Sequence, residues 1–298
     1  MTISARNAEP SRVSSASSTE DRAFVWIQHE VGIQILHAVA TRCREASVPF
    51  LVVKGIVTSR LLYEDVAERP IGDVDIRIRP VDLRAFERLA RAAGWPCVRV
   101  LRSYGSLIYD FEALSLDVES TVGPPGLCGL GVGALLDRAV WRELAPGLRV
   151  AAPEIHDHAV VLVVNVFKDK IVTATSWGLA DLERVVRRPE FQRDVFVDRV
   201  RASRITTMTW IVAAWMESAR GDGAWAEIRR ALEAGGGVRR LYARLVGLGL
   251  KGAVGHTSLS LKLLARVAAD SPRMRVHALS RAAACVVELP WRRLAHGS

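Results

Sequence analysis

Apolar residues begin to recur at helical spacing at Phe24 and continue through Ile27, Val31, Ile35 and Val39, which predicts a long packing helix from Asp21 to about Ser47-Val48-Pro49. Phe50 to Val53 is then a short β-prone run, Lys54-Gly55 breaks it, and Leu61, Leu62 and Val66 restore helical spacing over residues 56–66. Arg69-Pro70-Ile71-Gly72 is a loop by its proline and glycine. Residues 73–79 (DVDIRIR) alternate as a half-buried strand does, with Ile76 and Ile78 toward the core. Asp82 is placed to cap a helix running to Ala93, where Gly94 stops it. Further strands are predicted at residues 97–101, 107–111 and 115–120.

Residues 123–133 (GPPGLCGLGVG) form a glycine-rich connection that matches neither the P-loop nor the dinucleotide fingerprint and reads as a plain loop. Beyond it the pattern turns helical, over residues 155–175, 179–186, 195–218 and 225–234. The expected fold is α+β: a small mixed sheet with flanking helices, followed by an α-helical domain. Residues 1–20 read as a disordered leader, 21–134 as the α/β core and 135–298 as the helical domain.

Composition adds a basic surface: 41 lysines and arginines against 32 acidic residues give a net charge of +9 over 298 residues, which attracts anions such as nucleotides or RNA. Cys43, Cys97, Cys128 and Cys285 are scattered without a C-x-x-C pair, so neither a zinc site nor a disulfide framework is indicated and a reduced, cytoplasmic compartment is expected. The first 19 residues have no apolar signal-peptide core, and the apolar stretch 205–216 falls short of the roughly 20 residues a transmembrane helix needs. No transmembrane segment is expected.

The candidate chemistry lies on the alternating strand. Side chains two apart in a strand share a face, so Asp73 and Asp75 point the same way. Paired carboxylates repel unless a cation joins them, and oxygen ligands suit Mg²⁺ or Mn²⁺; a solvated strand face is the competing reading. Leu116-Asp117-Val118-Glu119 is a second alternating segment, and as a neighbouring strand it would bring Asp117 alongside the pair. Three such carboxylates are the minimum for a two-metal site. Gly55, at a strand end and helix start, lets a backbone approach phosphate closely. Lys54 and Arg69 flank the predicted anion site as candidate phosphate ligands, with a surface lysine at a helix start the competing reading. Lys168 and Lys170 read as a solvated helix face, with reach into the site from the second domain as the alternative, Asp181 reads as a packing residue, and His156 and His158 lack a third ligand at zinc spacing. Arg273, Arg275, Arg281, Arg292 and Arg293 make the last segment basic.

In order, VVKG (52–55), LLY (61–63), RPIGDVDIRI (69–78), AAGW (92–95) and LDVE (116–119) resemble the bacterial nucleotidyltransferase family related to the DNA polymerase beta superfamily, and APEIHDH (152–158) with WGLADLE (177–183) extends the resemblance over roughly residues 22–220. The resemblance implies that Asp73, Asp75 and Asp117 are metal ligands and catalytic residues, with Gly55 in the nucleotide-binding turn. It implies transfer of a nucleoside monophosphate from a triphosphate such as ATP, with pyrophosphate released, to an acceptor that is a small molecule, a peptide or protein, or RNA. Three places depart from the wider pattern: Ile56 follows the glycine where serine is usual, Glu119 stands where relatives commonly carry histidine, and residues 165–170 replace a histidine-rich segment. The rival readings are a non-catalytic nucleotide-binding module and a basic adaptor for RNA or membrane.

Overall fold

The computed structural model describes residues 19–170, 177–232 and 268–295. The first helix, α1 (Thr19–Glu45), buries Ile33, Leu36, Val39 and Cys43. Phe24 and Ile27, expected on its packing face, are exposed. There the early turns are held by the Arg22–Asp65 ion pair rather than by the core.

Strand β1 (Phe50–Val53) leads into α2 (Gly55–Leu62), and β2 (Asp73–Ile78) is followed by α3 (Leu83–Ala92). Next come β3 (Cys97–Leu101), β4 (Ser106–Asp110) and β5 (Ser115–Glu119). They form one five-stranded sheet in the order β1-β2-β5-β4-β3. The β2–β5 pair is parallel and the others are antiparallel, so the sheet is mixed. The fold is α+β, as the pattern predicts.

The hydrophobic face of this sheet carries Val74, Ile76, Ile78, Leu116 and Val118, and packs with Leu36 and Val39 of α1 and Phe86 and Ala90 of α3. The polar face of β2 is covered too, since Asp75 is 2% and Arg77 1% exposed. The expectation of a half-buried strand therefore fails. The alternation is real, but its polar side faces a second layer instead of water.

That second layer follows α4 (Val132–Asp137) and a hairpin of β6 (Val140–Ala145) and β7 (Leu148–Ala152). The pattern predicts a mainly helical part after residue 135 and names no hairpin there. Leu144, Leu148 and Val150 of the hairpin join the core of the preceding sheet, while Ala151 joins the other core. Helix α5 (Ile155–Asn165) is buried on all sides, which fits a run of Val and Leu with hardly any polar face. It passes directly into a π-helical turn at Val166–Lys170. The predicted helix over 155–175 thus ends as an α-helix at 165, and residues 171–176 lie outside the described residues.

Helices α6 (Trp177–Val185), α7 (Arg193–Ala202), α8 (Thr206–Arg220) and α9 (Gly223–Ala231) surround α5. The pattern reads α7 and α8 as one helix because both bury apolar residues in the same core. They are separated at Arg204, whose φ of 53° no helix allows. Asp270 caps the new start, accepting from the amides of Thr206 and Thr207 at 2.6 and 2.9 Å.

The glycine-rich connection is a packing loop. A Cβ on Gly126, at φ 82°, would lie 2.6 Å from the Ala278 amide nitrogen in the last helix, Pro272–Ala295. The Gly129 amide donates to the Ser203 carbonyl at 2.7 Å. Residues 1–18, which make up most of the predicted leader, lie outside the described residues, as do the side chains of Lys170, Arg292 and Arg293. Among the described residues, no helix is long and apolar enough to cross a membrane.

Candidate active site

The parallel pairing of β2 with β5 sets Asp75 directly opposite Asp117 and Asp73 opposite Ser115. Because side chains alternate, all three aspartates stand on one face, and one carboxylate oxygen from each lies within 4.8 Å of the others. The sequence therefore brings Asp73, Asp75 and Asp117 together although some forty residues separate the strands. The Ser115 hydroxyl donates to Asp117 Oδ1 at 3.3 Å and helps fix its rotamer.

Lys54 joins them from the end of β1, where Val53 pairs with Asp75. Its ammonium donates to Asp75 Oδ1 at 2.6 Å. Farther along the same face, Arg77 lies 3.8 Å from Asp75 and forms a 2.5 Å ion pair with Glu119, its cross-strand neighbour. Lys168, on the π-helical turn, reaches to 3.9 Å from Glu119. Lys54, Arg77 and Lys168 border a small crevice closed by Val161 and Val164 of α5.

Electrostatics divide these carboxylates. Repulsion from Asp75, then burial and Asp117, raise the Asp73 carboxyl to about 6 against the pull of Lys54 and Lys168. Asp117 is raised as well, by burial first and then by Asp75 and Glu119. For Glu119, burial works upward but is outweighed by Arg77, Lys168 and Lys54, and the carboxyl falls to about 2. Glu119 is thus an ion-paired anion, whereas Asp73 and Asp117 have no ion-pair partner among the described residues. A cation placed among three hard oxygen donors relieves that repulsion, so the donor set fits a divalent metal such as Mg²⁺ or Mn²⁺.

Gly55 and Arg69 also take part in packing around the loop 69–72. Gly55 opens α2, but a Cβ there would come within 3.1 Å of Ile71 Cγ2 and 3.5 Å of Arg69 Nη1, so its lack of a side chain lets the loop 69–72 pack closely. Arg69 is not a loose cation beside the aspartates. Its Nε and Nη2 donate to Asp181 on α6 at 2.9 and 2.8 Å, and Nη1 donates to the Pro70 carbonyl. Asp181 also accepts from the Tyr63 hydroxyl at 2.8 Å, and His29 Nε2 lies 2.9 Å from the Arg69 carbonyl. Arg69 therefore ties the loop before β2 to the helical layer. Asp181 is the packing residue its pattern suggests.

The histidines near the start of α5 are also structural. His156 Nδ1 pairs with Glu154, and its Nε2 accepts from the Gln192 amide. His158 contacts Thr58, and burial, then Arg142, lowers it to about 3, so it stays neutral. Asp82 makes no cap hydrogen bond; its carboxylate takes a 2.6 Å bond from Arg79 instead, and the expected cap is absent. Arg77 and its pairing with Glu119 lie beside the aspartates without being marked by any sequence motif. Spacing alone signals it, since Arg77 is two residues beyond Asp75 on the same strand face.

The family model described as uncharacterised nucleotidyltransferase matches residues 23–219, and the chain belongs to that family. Membership places it among the nucleotidyltransferases, proteins with a nucleotide substrate. The solution structure of the antibiotic-resistance factor ANT(2'')-Ia is similar at 14% identity and a TM-score of 0.40, covering 74% of this chain and 98% of that one. The crystal structure of JHP933 from Helicobacter pylori is similar at 13% identity and a TM-score of 0.38, covering 80% and 96%. No curated protein matches the chain.

Proposed function

We propose that this protein is a metal-dependent nucleotidyltransferase that moves a nucleoside monophosphate from a triphosphate, ATP among them, to an acceptor nucleophile and releases pyrophosphate. The observation that carries the reading is the convergence of Asp73, Asp75 and Asp117, beside Lys54, in a chain of nucleotidyltransferase family. Asp73 and Asp75 would hold two Mg²⁺ or Mn²⁺ ions, and Asp117 one of them. Bound there, the ions would supply positive charge to the triphosphate and to the attacking oxygen.

The chain's own residues do the rest. Lys54 neutralises a β or γ phosphate oxygen, and the Gly55 amide at the start of α2 faces phosphate. The acceptor oxygen or nitrogen forms a bond to the α-phosphorus, the bond to the bridging oxygen of pyrophosphate breaks, and Asp117 takes the acceptor proton. Arg69 acts indirectly, by holding the loop that leads into β2. Residues 21–134 carry the carboxylates, and the part from residue 135 onward covers them and contributes Lys168. The acceptor is a small molecule, a peptide or protein, or RNA, and the +9 charge favours anionic substrates. Cys43 and Cys128 carry free thiols, in keeping with a reducing cytoplasm.

The test is incubation of the purified protein with each α-labelled triphosphate and Mg²⁺ or Mn²⁺, with candidate acceptors of the three classes and with none, to include self-labelling. Label transferred to an acceptor together with stoichiometric pyrophosphate supports the reading. Absence of both with every triphosphate, metal and acceptor would remove it.

A further inference from the structure

Lys54 is placed where it competes with the metal. Its ammonium is 2.6 Å from Asp75 Oδ1, and that carboxylate belongs to the set whose oxygens lie within 4.8 Å of one another. An ion held by these oxygens at about 2.1 Å would stand within a few ångströms of the ammonium, so the two like charges would repel. Arg77 cannot yield in its place, because it is 1% exposed and paired with Glu119, which also holds Lys168 nearby. Lys54 is a single flexible ammonium at the edge of the site, with its side chain 12% exposed.

The backbone points the same way. Lys54 has φ 53° and ψ −137°, a conformation that glycine adopts freely and other residues adopt at a cost. Strain of this kind persists where the side chain is needed. A lysine here sets its amine against Asp75 directly at the strand end, while the chain still turns into α2.

We infer that Lys54 is an exchangeable counterion: in the free protein it occupies the charge position of the metal on Asp75, and it is released to the triphosphate when metal and nucleotide bind together. This rests on the proposed nucleotidyltransferase reading and adds a regulation to it. Metal alone must displace Lys54 from Asp75, and Glu119, the further carboxylate on which Lys54 acts, is already paired with Arg77. A triphosphate supplies that anion, so each ligand strengthens the other, as linkage requires. The site would then take up its metal together with nucleotide and hold little metal between turnovers.

The experiment measures Mn²⁺ binding to the full-length protein by the loss of free-ion paramagnetic signal. It is run on wild type, Lys54→Met and Lys54→Gly, and the second variant relieves the positive φ while removing the amine. Binding of an α,β-methylene triphosphate with saturating Mg²⁺ is measured in parallel, and a cooperative thermal transition with a wild-type circular dichroism spectrum establishes that each variant folds. The expected result has opposite signs: Mn²⁺ alone binds both variants at least about tenfold more tightly, and the analogue binds them at least about tenfold more weakly. If the analogue weakens but Mn²⁺ binds no more tightly than to wild type, Lys54 is a phosphate ligand only and the exchange is overturned while the nucleotidyltransferase reading stands. If Mn²⁺ binds none of the proteins, with or without analogue, both fall.

Discussion

Asp157 and Asp181, in the helical layer, face arginines, whereas Asp73 and Asp117, on the sheet, face other carboxylates. Asp181 takes a two-pronged hydrogen bond from Arg69 and a third from Tyr63. Asp157 takes a similar pair from Arg138 at 2.8 and 3.0 Å and has Arg199 at 3.1 Å. These anions are buried, yet each carries its own fixed partner, which is how a structural charge survives in a core. At the sheet, three aspartates converge on one lysine and one more distant arginine. Burial alone therefore does not distinguish a functional carboxylate from a structural one. The distinction lies in whether the chain itself completes the charge balance.

Breaking a completed set should have the largest effect on folding. Asp181→Ala leaves the Arg69 guanidinium buried without its anion and should destabilise by about 3–5 kcal/mol in a urea titration. If Asp181→Ala unfolds at the wild-type midpoint, the pair is not the brace between loop and helical layer that the comparison makes it.

The incomplete set should respond in the opposite direction. The folded Asp73 carboxyl titrates near 6 and the ordinary value is 3.8, so between these pH values the folded state holds more protons than the unfolded one. Stability of the metal-free protein should then decline as pH rises from about 4 to 6, by on the order of 2–3 kcal/mol from this group, and level off above. Asp73→Asn should flatten that decline and melt higher than wild type at pH 7.5 in chelator. A metal-free wild type whose stability rises steadily over the same interval, with Asp73→Asn lower at pH 7.5, would show that the aspartates are balanced after all.

The smallest effect is expected outside both sets. Among the described residues the Asp82 carboxylate is bonded to Arg79 alone, and Asp82→Asn should leave melting and turnover as they are. A clear loss of either would show that the Arg79–Asp82 pair contributes to folding or to the reaction.

Local patterning made the sheet and the site legible. Residues 73–79 and 116–119 alternate strictly, and two carboxylates at a spacing of two are enough to place them on one face. That β5 lies beside β2, in parallel and in register, is a non-local fact that one sequence suggests only by resemblance. The Arg69–Asp181 pair shows the limit, since the partners are 112 residues apart and nothing near either marks the other. Arg69 beside an aspartate-bearing strand therefore reads as a phosphate ligand. The β6–β7 hairpin is missed because a short strand pair shared by two cores lacks a clean period of two. Arg204 breaks α7 from α8 without glycine or proline, so periodicity runs through the break.

The central claim is that Asp73, Asp75 and Asp117 form one metal-holding catalytic unit, and the most direct measurement is pyrophosphate release by their single and combined asparagine variants. With the triphosphate and metal that support wild-type turnover, Asp73→Asn and Asp75→Asn should each lower the rate at least about a hundredfold, the scale on which lost electrostatic stabilisation is felt. The combined variants should be little slower than either single one, because residues acting as a unit are not additive. Folded Asp73→Asn and Asp75→Asn proteins that release pyrophosphate at the wild-type rate would contradict the account.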